Sequence, residues 1–165
     1  MRKPVVMGNW KLNGTKSTVT DLIKAFREPA DKNANVDVAI CAPAIFIGMV
    51  ESLATGSSLK WGSEDCDIHT KGAYTGENSP EMLKEFGCTY AIVGHSERRG
   101  YHNESNEIVA GKFKASIPHK SITALISALQ TSRVLPASYS ASDSPMHNTG
   151  VKKREPYIQE GNVFH

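Results

Sequence analysis

The sequence predicts an α/β protein built on a parallel β-sheet. Four short apolar segments rich in β-forming residues alternate with helical patterns between residues 5 and 115, and this alternation is typical of β-α-β units with right-handed crossovers. Two of the apolar segments lead directly to polar side chains, at Asn9 and at His95. Parallel strands deliver side chains to a ligand-binding edge at their carboxyl ends. Periodicity alone leaves open whether the sheet is doubly wound or part of a barrel.

The four predicted strands are short. They cover residues 5–10, 36–42, 59–63 and 90–93. Pro43 closes the second strand and Gly94 ends the fourth, whereas the third has the weakest pattern. The fourth is apolar throughout, which is typical of a strand that is buried on both faces of a parallel sheet.

The segments between the strands have helical patterns. The first, over residues 17–27, has one apolar face and is followed by Pro29, where we expect the helix to end. Ser79 and Pro80 are a favourable N-cap and first residue for a later helix. In total, helices are predicted over residues 17–27, 45–53, 79–87 and 106–115.

The composition indicates one globular domain and excludes several kinds of partner. A chain of 165 residues can bury a sizeable core. The net charge of +2 is too small to predict binding to nucleic acid or to an anionic membrane. No apolar stretch is long enough to span a bilayer or to act as a signal peptide. The three dispersed cysteines predict a reduced, cytoplasmic setting and, with the histidines, no metal site.

Residues 90–99 carry the most informative motif. His95 follows the fourth strand, Ser96 is a favourable N-cap for a helix after it, and Glu97 suits the positive end of that helix. A helix N-terminus disfavours a second positive charge, so we expect a neutral imidazole that can donate a hydrogen bond to a ligand oxygen. The alternative is a histidine that only caps a loop.

Two strings of residues are specific to a known family. They are Gly-Asn-Trp-Lys-Leu-Asn-Gly at residues 8–14 and Val-Gly-His-Ser-Glu-Arg-Arg at residues 93–99. With Gly-Ala-Tyr-Thr-Gly-Glu at residues 72–77, they make the chain resemble triosephosphate isomerase over roughly residues 1–115. The resemblance implies a partial TIM (β/α)8 barrel, in which residues 1–115 are the N-terminal half and hold about the first four β-α units.

The resemblance also implies an activity and residues that perform it. The family interconverts glyceraldehyde 3-phosphate and dihydroxyacetone phosphate through an enediolate, in glycolysis and gluconeogenesis, without a cofactor. It assigns catalytic roles to His95, as the electrophile, and to Lys11, which also binds the anionic triose phosphate. Asn9 is assigned to substrate binding. Ser96 and Glu97 would support these residues from behind, Glu97 by holding the lysine or a neighbouring arginine.

A homodimer is a further implication of the resemblance. The loop over residues 71–78 matches the family's dimerisation loop, in which Thr75 would approach the active site of the partner subunit. Glu77 would pair with a basic residue across the interface, and Arg98 is the candidate. Residues 64–66 are Glu-Asp-Cys where Gln-Asn-Val is more usual. We expect the two extra negative charges, on Glu64 and Asp65, to weaken the dimer.

Residues 116–165 do not follow the family pattern. They are rich in serine, threonine and proline, and we interpret them as an unrelated, poorly ordered tail, with one helix at residues 121–135 and linker-like sequence elsewhere. A changed reading frame, splice or gene end would produce such a tail. The family's glutamate base, lid and phosphate-binding loops have no recognisable counterpart in it, and Glu155-Pro156 only superficially resembles the segment of the base.

The presence of the N-terminal half of the barrel without a matching C-terminal half leads to two expectations. Four strands cannot close a barrel of eight, so we expect an open sheet with two unpaired edges and an exposed apolar inner face. The chain would then be a truncated isomerase with little activity alone. The alternative is a non-enzymatic half-barrel that associates with another chain.

Overall fold

A six-stranded sheet forms the centre of the computed structural model, which describes residues 3–117 and the backbone of residues 123–126 and 163–164. The strands are β1 (Val5–Asn9), β2 (Asp37–Ala42), β3 (Lys60–Ser63), β4 (Tyr90–Val93), β5 (Thr123–Ile126) and β6 (Val163–Phe164). Their order in the sheet is β5-β4-β3-β2-β1-β6. Neighbours from β1 to β5 are parallel, and β6 is antiparallel to β1.

Helices connect the parallel strands as the sequence predicts. They are α1 (Lys16–Lys32), α2 (Ile47–Ala54) after a 3-10 turn at Ala44–Phe46, α3 (Pro80–Glu85), α4 (Ser96–Tyr101) and α5 (Asn106–Ser116). The predicted α/β half-barrel with four parallel strands is therefore confirmed. Each of the four strands lies within one residue of its predicted bounds.

The first helix is longer than predicted because it does not end at Pro29. Thr15 caps its start, where the hydroxyl accepts from the Thr18 backbone and the Thr18 hydroxyl accepts from Thr15. Proline lacks the N–H that would bond four residues back, yet the helix continues to Lys32. Ala30, directly after the proline, is buried against the sheet. Tertiary packing of this last turn explains why the local signal failed.

The larger core lies between the helices and one face of the sheet. Its fully buried members come from α1, α2 and β2, together with the residue before β3. They are Val19, Ile23, Ala30, Ile40, Ala42, Val50, Ala54 and Leu59. A second cluster joins α3 and α5 to β4 and consists of Ile47, Cys66, Leu83, Cys88, Ala91, Val93 and Val109. These two clusters hold the helices against the sheet and so fix its carboxyl edge.

The opposite face of the sheet differs from our expectation of an exposed apolar surface. It carries Ala39, Cys41, Tyr90 and Ile92, with Val5 and Met7 packed against them. None of the first four is more than 7% exposed. The edges of the four-stranded unit are also occupied, because β5 pairs with β4 and β6 pairs with β1.

The helix predicted at residues 121–135 is wrong where the structure describes that segment. Thr123–Ile126 is a strand, and its four residues pair in register with Tyr90–Val93 of β4. A short apolar run does not by itself distinguish helix from strand, and the open edge of β4 offers hydrogen-bonding groups that favour the strand. The remainder of the predicted helix, and most of the predicted poorly ordered tail, lie outside the described residues.

The described helices include none with the length and apolar character needed to cross a membrane.

Candidate active site

The carboxyl ends of the parallel strands bring the predicted site residues to one edge of the sheet. Asn9 is the last residue of β1, and Lys11 follows two positions later. Glu64 comes directly after β3, and His95 comes two positions after the end of β4. Because β1 to β4 are parallel, these four residues leave the sheet on the same side. They form the candidate site.

Lys11 is held in an uncommon backbone conformation. Its φ is 54°, in the left-handed region that non-glycine residues seldom adopt. The backbone N–H of Lys11 donates to Oδ1 of Asn9 at 3.0 Å, and Asn13 donates to the carbonyl of Trp10 at 2.8 Å. Strained backbone of this kind persists only where surrounding contacts determine it. The amide of Asn9 therefore shapes the turn that presents the lysine.

The side chain of Lys11 pairs with α4. Its Nζ lies 2.6 Å from Oε1 of Glu97, and both side chains are almost half exposed. The sequence predicted that Glu97 holds either the lysine or a neighbouring arginine. In the structure it contacts the lysine. The pair holds the lysine against the first turn of α4, where its side chain stays almost half exposed.

His95 caps α4, where the sequence suggested Ser96. Its Nδ1 accepts a hydrogen bond from the backbone N–H of Glu97 at 3.2 Å, and Ser96 is the first helical residue. The distance from Nδ1 to the Glu97 carboxylate, 3.7 Å, is too long for a hydrogen bond. A ring nitrogen that accepts a hydrogen bond carries no proton, so the ring proton lies on Nε2. With that tautomer Nε2 is the donor of the ring, and among the described residues it has no hydrogen-bond partner.

The turn before His95 depends on a glycine. Gly94 has φ +66°, and a Cβ at this position would lie 2.8 Å from the side chain of Val109. Its carbonyl accepts from Nε of Arg99 at 3.0 Å, and the same guanidinium donates to Asn106 at 2.9 Å. The α4 and α5 helices thus fix where His95 leaves the strand.

Glu64 adds a carboxyl group that the sequence-based site did not include. This carboxyl group lies near the Lys11 backbone and near the charge of Glu97. Its Oε1 is buried and has no hydrogen-bond partner among the described residues. Burial raises the pKa of Glu64 to about 7, the nearby Lys11 backbone N–H opposes this, and the negative charge of Glu97 adds to it.

The family of the chain follows from comparison with known proteins. The family model described as TIM: Triosephosphate isomerase matches residues 4–126. The chain belongs to the triosephosphate isomerase family. A triosephosphate isomerase from Vibrio sp. (strain ANT-300) is 57% identical over 113 residues, which are 68% of this chain and 45% of that protein. Another, from Psychromonas ingrahamii, is 55% identical over 115 residues, 70% of this chain and 46% of that protein.

A solved structure agrees with the half-barrel. The crystal structure of triosephosphate isomerase from Bartonella henselae matches with a TM-score of 0.69 and 34% identity, over 76% of this chain and 51% of that one. The chain therefore spans about half the length of the relatives it matches. The match to the family model also extends to residue 126, beyond the limit of about 115 that the motifs suggested, and includes β5.

Behind the candidate site lies a buried ionic cluster that sequence reasoning did not find. Lys112 of α5 contacts Asp65 and Glu104 at 2.6 Å each, and Arg98 contacts the same two carboxylates at 2.8 and 2.7 Å. Lys112 is only 4% exposed. Burial raises the pKa of Asp65 in spite of these cations. For Glu104 the effect of burial is outweighed by hydrogen bonds from Lys112 and Arg98, and its pKa is lowered.

This cluster changes the expectation for the triosephosphate isomerase dimer interface. Asp65 was expected to bring an extra negative charge to the interface, but Lys112 and Arg98 pair with it inside the subunit. Arg98, the candidate partner of Glu77 across the interface, has both of its ion pairs within its own chain. Thr75 and Glu77 are exposed on the loop after β3.

The tip of this loop is ordered by its own contacts. His69 stacks on Tyr74 with ring centroids 3.7 Å apart, and its Nδ1 lies 2.7 Å from Asp67. The backbone of Asp67 also donates to the carbonyl of Asn78 at 2.9 Å, which closes the base of the loop. These contacts all lie within one chain.

Two signals in the sequence could have identified the missed residues. Glu64 directly follows a predicted strand, in the same way that Asn9 lies at the end of one and His95 just after another, and therefore belongs to the same edge. Lys112 lies three and four positions after Val109 and Ile108 on the apolar side of α5. A lysine on such a face indicates a buried carboxylate partner.

Proposed function

We propose that this chain supplies the histidine and lysine of a triosephosphate isomerase site that interconverts glyceraldehyde 3-phosphate and dihydroxyacetone phosphate through an enediolate. The observation that carries the proposal is that Glu97 contacts both residues: its backbone N–H donates to Nδ1 of His95, and its carboxylate lies 2.6 Å from the Lys11 ammonium. A proton transfer between adjacent carbons needs donors for both substrate oxygens. These two side chains meet that need.

Each residue has a distinct task in the proposed reaction. His95 donates from Nε2 to the oxygen that becomes enediolate, and Lys11 attracts the phosphorylated triose and stabilises the developing negative charge. Asn9 shapes the Lys11 turn and lines the same pocket. The triosephosphate isomerase family is itself the standard example of a neutral histidine electrophile working with a glutamate base. The reaction requires no metal or cofactor.

The glutamate base, the lid and the phosphate-binding loops are the parts that we do not assign to this chain. General base catalysis contributes about 10²–10⁴-fold, and a closed, oriented site contributes more. We therefore expect slow turnover by the chain alone. In a cell we expect it to act in the cytoplasm, as part of glycolysis and gluconeogenesis, and to form a homodimer through the loop that carries Thr75 and Glu77.

An isomerisation assay with matched variants tests this proposal. His95→Gln should reduce turnover by about 10²–10³-fold, the usual cost of removing one donor to a developing oxyanion. His102→Gln, the same substitution at an exposed position directly after α4, should leave turnover unchanged. Turnover that survives His95→Gln would contradict the assignment. Fast, His95-dependent turnover would show that the chain does contain a base.

A second candidate function is a half-barrel that binds another chain. The observation that favours it is the linear strand order, which leaves β5 and β6 as the outer strands of the described sheet. Size-exclusion chromatography, alone and after mixing with an intact triosephosphate isomerase, tests this alternative. A folded chain without turnover that elutes with the intact enzyme would support it, whereas an unchanged monomer would exclude it.

A further inference from the structure

Arg99 is a residue of α4 to which the proposed function gives no task, and it contacts the turn at His95 in two ways. Its side-chain Nε donates to the carbonyl of Gly94 at 3.0 Å, and its backbone N–H donates to the carbonyl of His95 at 2.9 Å. These two carbonyls belong to the peptide groups on either side of the His95 Cα. One residue therefore holds both of the peptide groups that flank the histidine.

Two fixed peptide groups determine the direction in which a side chain leaves the backbone. A peptide group is planar, so only φ and ψ are free between two consecutive groups. At His95 these angles are −56° and 143°, and the two hydrogen bonds of Arg99 act on the groups that define them. The hydrogen bond of the ring, in which Nδ1 accepts from the Glu97 backbone N–H at 3.2 Å, requires that direction.

The guanidinium group of Arg99 is itself held in place. Its Nη1 donates to Oδ1 of Asn106, the first residue of α5, at 2.9 Å. A Cβ on Gly94 would lie 3.2 Å from Nη2 of Arg99 and 2.8 Å from Val109, so the guanidinium and α5 enclose the glycine. An arginine offers donors in the fixed directions of a planar fork, and this fork connects the end of β4 to the start of α5.

We propose that Arg99 is a positioning residue for His95. It fixes the peptide groups on both sides of the histidine, and so keeps Nδ1 at the Glu97 N–H and the ring proton on Nε2. Without the guanidinium, the Gly94 carbonyl loses a charge-assisted hydrogen bond, and the conformational freedom of the glycine allows the turn to rearrange. The catalytic consequence rests on the proposed function, in which Nε2 donates to a substrate oxygen, whereas the placement of the ring does not.

NMR spectra of the whole chain, at a pH where the imidazole is neutral, test the placement of the ring. In the unmodified chain the two ring nitrogens of His95 should have the well-separated chemical shifts of a single tautomer. Arg99→Ala should bring these shifts closer together and move the Glu97 backbone amide signal. Arg27→Ala is the matched control, because Nη1 of Arg27 donates to the carbonyl of Leu53 at 2.6 Å, and it should change neither signal. A single tautomer that survives in Arg99→Ala, or equal changes in both variants, would overturn the proposal.

A measurement on the unmodified chain covers the case in which Arg99→Ala does not fold. The hydrogen bond from Nε of Arg99 to Gly94 should slow the exchange of the Nε–H proton with solvent. It should also produce a scalar coupling between Nε and the Gly94 carbonyl carbon. Fast exchange without this coupling would refute the proposal.

Kinetics give a second readout if the chain is active. A displaced donor weakens the transition state more than the binding of the triose phosphate, which Lys11 attracts. Arg99→Ala should therefore lower kcat about 10–100-fold with little change in KM, and Arg27→Ala should retain kcat. A higher KM at unchanged kcat would contradict the positioning role. If the unmodified chain has no isomerase activity while Arg99→Ala alone changes the His95 signals, the proposed function is wrong and the positioning role stands.

Discussion

The ammonium group of Lys11 lies 2.6 Å from the carboxylate of Glu97, although the two residues are 86 positions apart in the chain. Lys11 follows the first strand and Glu97 lies in the first turn of the helix after the fourth. Folding of the sheet therefore brings the Lys11 ammonium to Glu97, whose backbone N–H also donates to His95. Because both side chains are almost half exposed, the pair orients the lysine and contributes little to stability.

Removing the carboxylate of this pair should separate function from stability. We expect Glu97→Gln to change the free energy of unfolding by less than about 1 kcal/mol and to lower the rate of isomerisation, because the ammonium loses its fixed position. Urea unfolding and an isomerisation assay measure the two effects. Glu28→Gln, which breaks the exposed pair with Lys32, is the control and should alter neither. A large loss of stability with unchanged turnover would contradict this interpretation.

Breaking the buried ionic cluster behind the site should mainly lower stability, which is the opposite of the effect expected for Glu97→Gln. Lys112→Met removes the cation that contacts both Asp65 and Glu104 and leaves two carboxylates close together. Uncompensated buried charge typically costs about 3–5 kcal/mol, and we expect a loss of that order in urea unfolding. Lys114→Met, two positions along α5 and exposed, should stay within about 0.5 kcal/mol. Equal stabilities for the two variants would show that the cluster is not needed.

A pair of glycine substitutions tests the turn that presents His95. Gly94→Ala places a Cβ 2.8 Å from Val109 at a φ of +66°, and we expect a loss of about 1–3 kcal/mol together with a displaced imidazole. Gly100→Ala lies inside α4 with nothing within 4 Å of the new Cβ, and should stabilise by about 0.5–1 kcal/mol. Thermal unfolding measures both. The prediction fails if the two substitutions have the same sign.

The buried carboxyl of Glu64 predicts a pH dependence of stability with a definite sign. Its pKa is about 7 in the folded chain against an ordinary value of 4.5, so the folded state binds the proton more tightly. This contribution to stability is complete below about pH 4.5 and is lost as the pH rises through 7. Its upper limit is about 3 kcal/mol, and partial solvent access makes it smaller.

Glu64→Gln should remove that dependence. We expect the variant to be more stable than the unmodified chain above neutrality and to differ little from it at acid pH. Urea unfolding at several pH values measures the difference, and Glu85→Gln at an exposed position serves as the control. A difference that grows toward acid pH would contradict the sign.

The local patterns of the sequence predicted most of the half-barrel. Three of the strands were identified correctly because each is a short, largely apolar run bounded by proline, glycine or polar residues; the third, Lys60–Ser63, had the weakest pattern. The family strings at Lys11 and His95 located the carboxyl edge of the sheet. Two local signals misled, since α1 continues past Pro29 and residues 123–126 form a strand. In both places contacts with the sheet outweighed local preference.

The contacts of the site residues could be identified only from the folded chain. Ser96 is the better N-cap by type, yet His95 takes that position because its ring accepts from the Glu97 backbone. The pairing of Arg98 with Asp65 and Glu104 joins three separate segments, and no spacing in the sequence connects them.

By itself, the sequence determined which residue types stand at the ends of the strands, and so which family the chain belongs to. Only the tertiary structure decided which charges meet: Lys11 with Glu97, and Asp65 with Lys112. The reason is physical. Strand and helix patterns arise from neighbours along the chain, whereas an ion pair and the pKa of a buried carboxyl depend on groups that folding brings together.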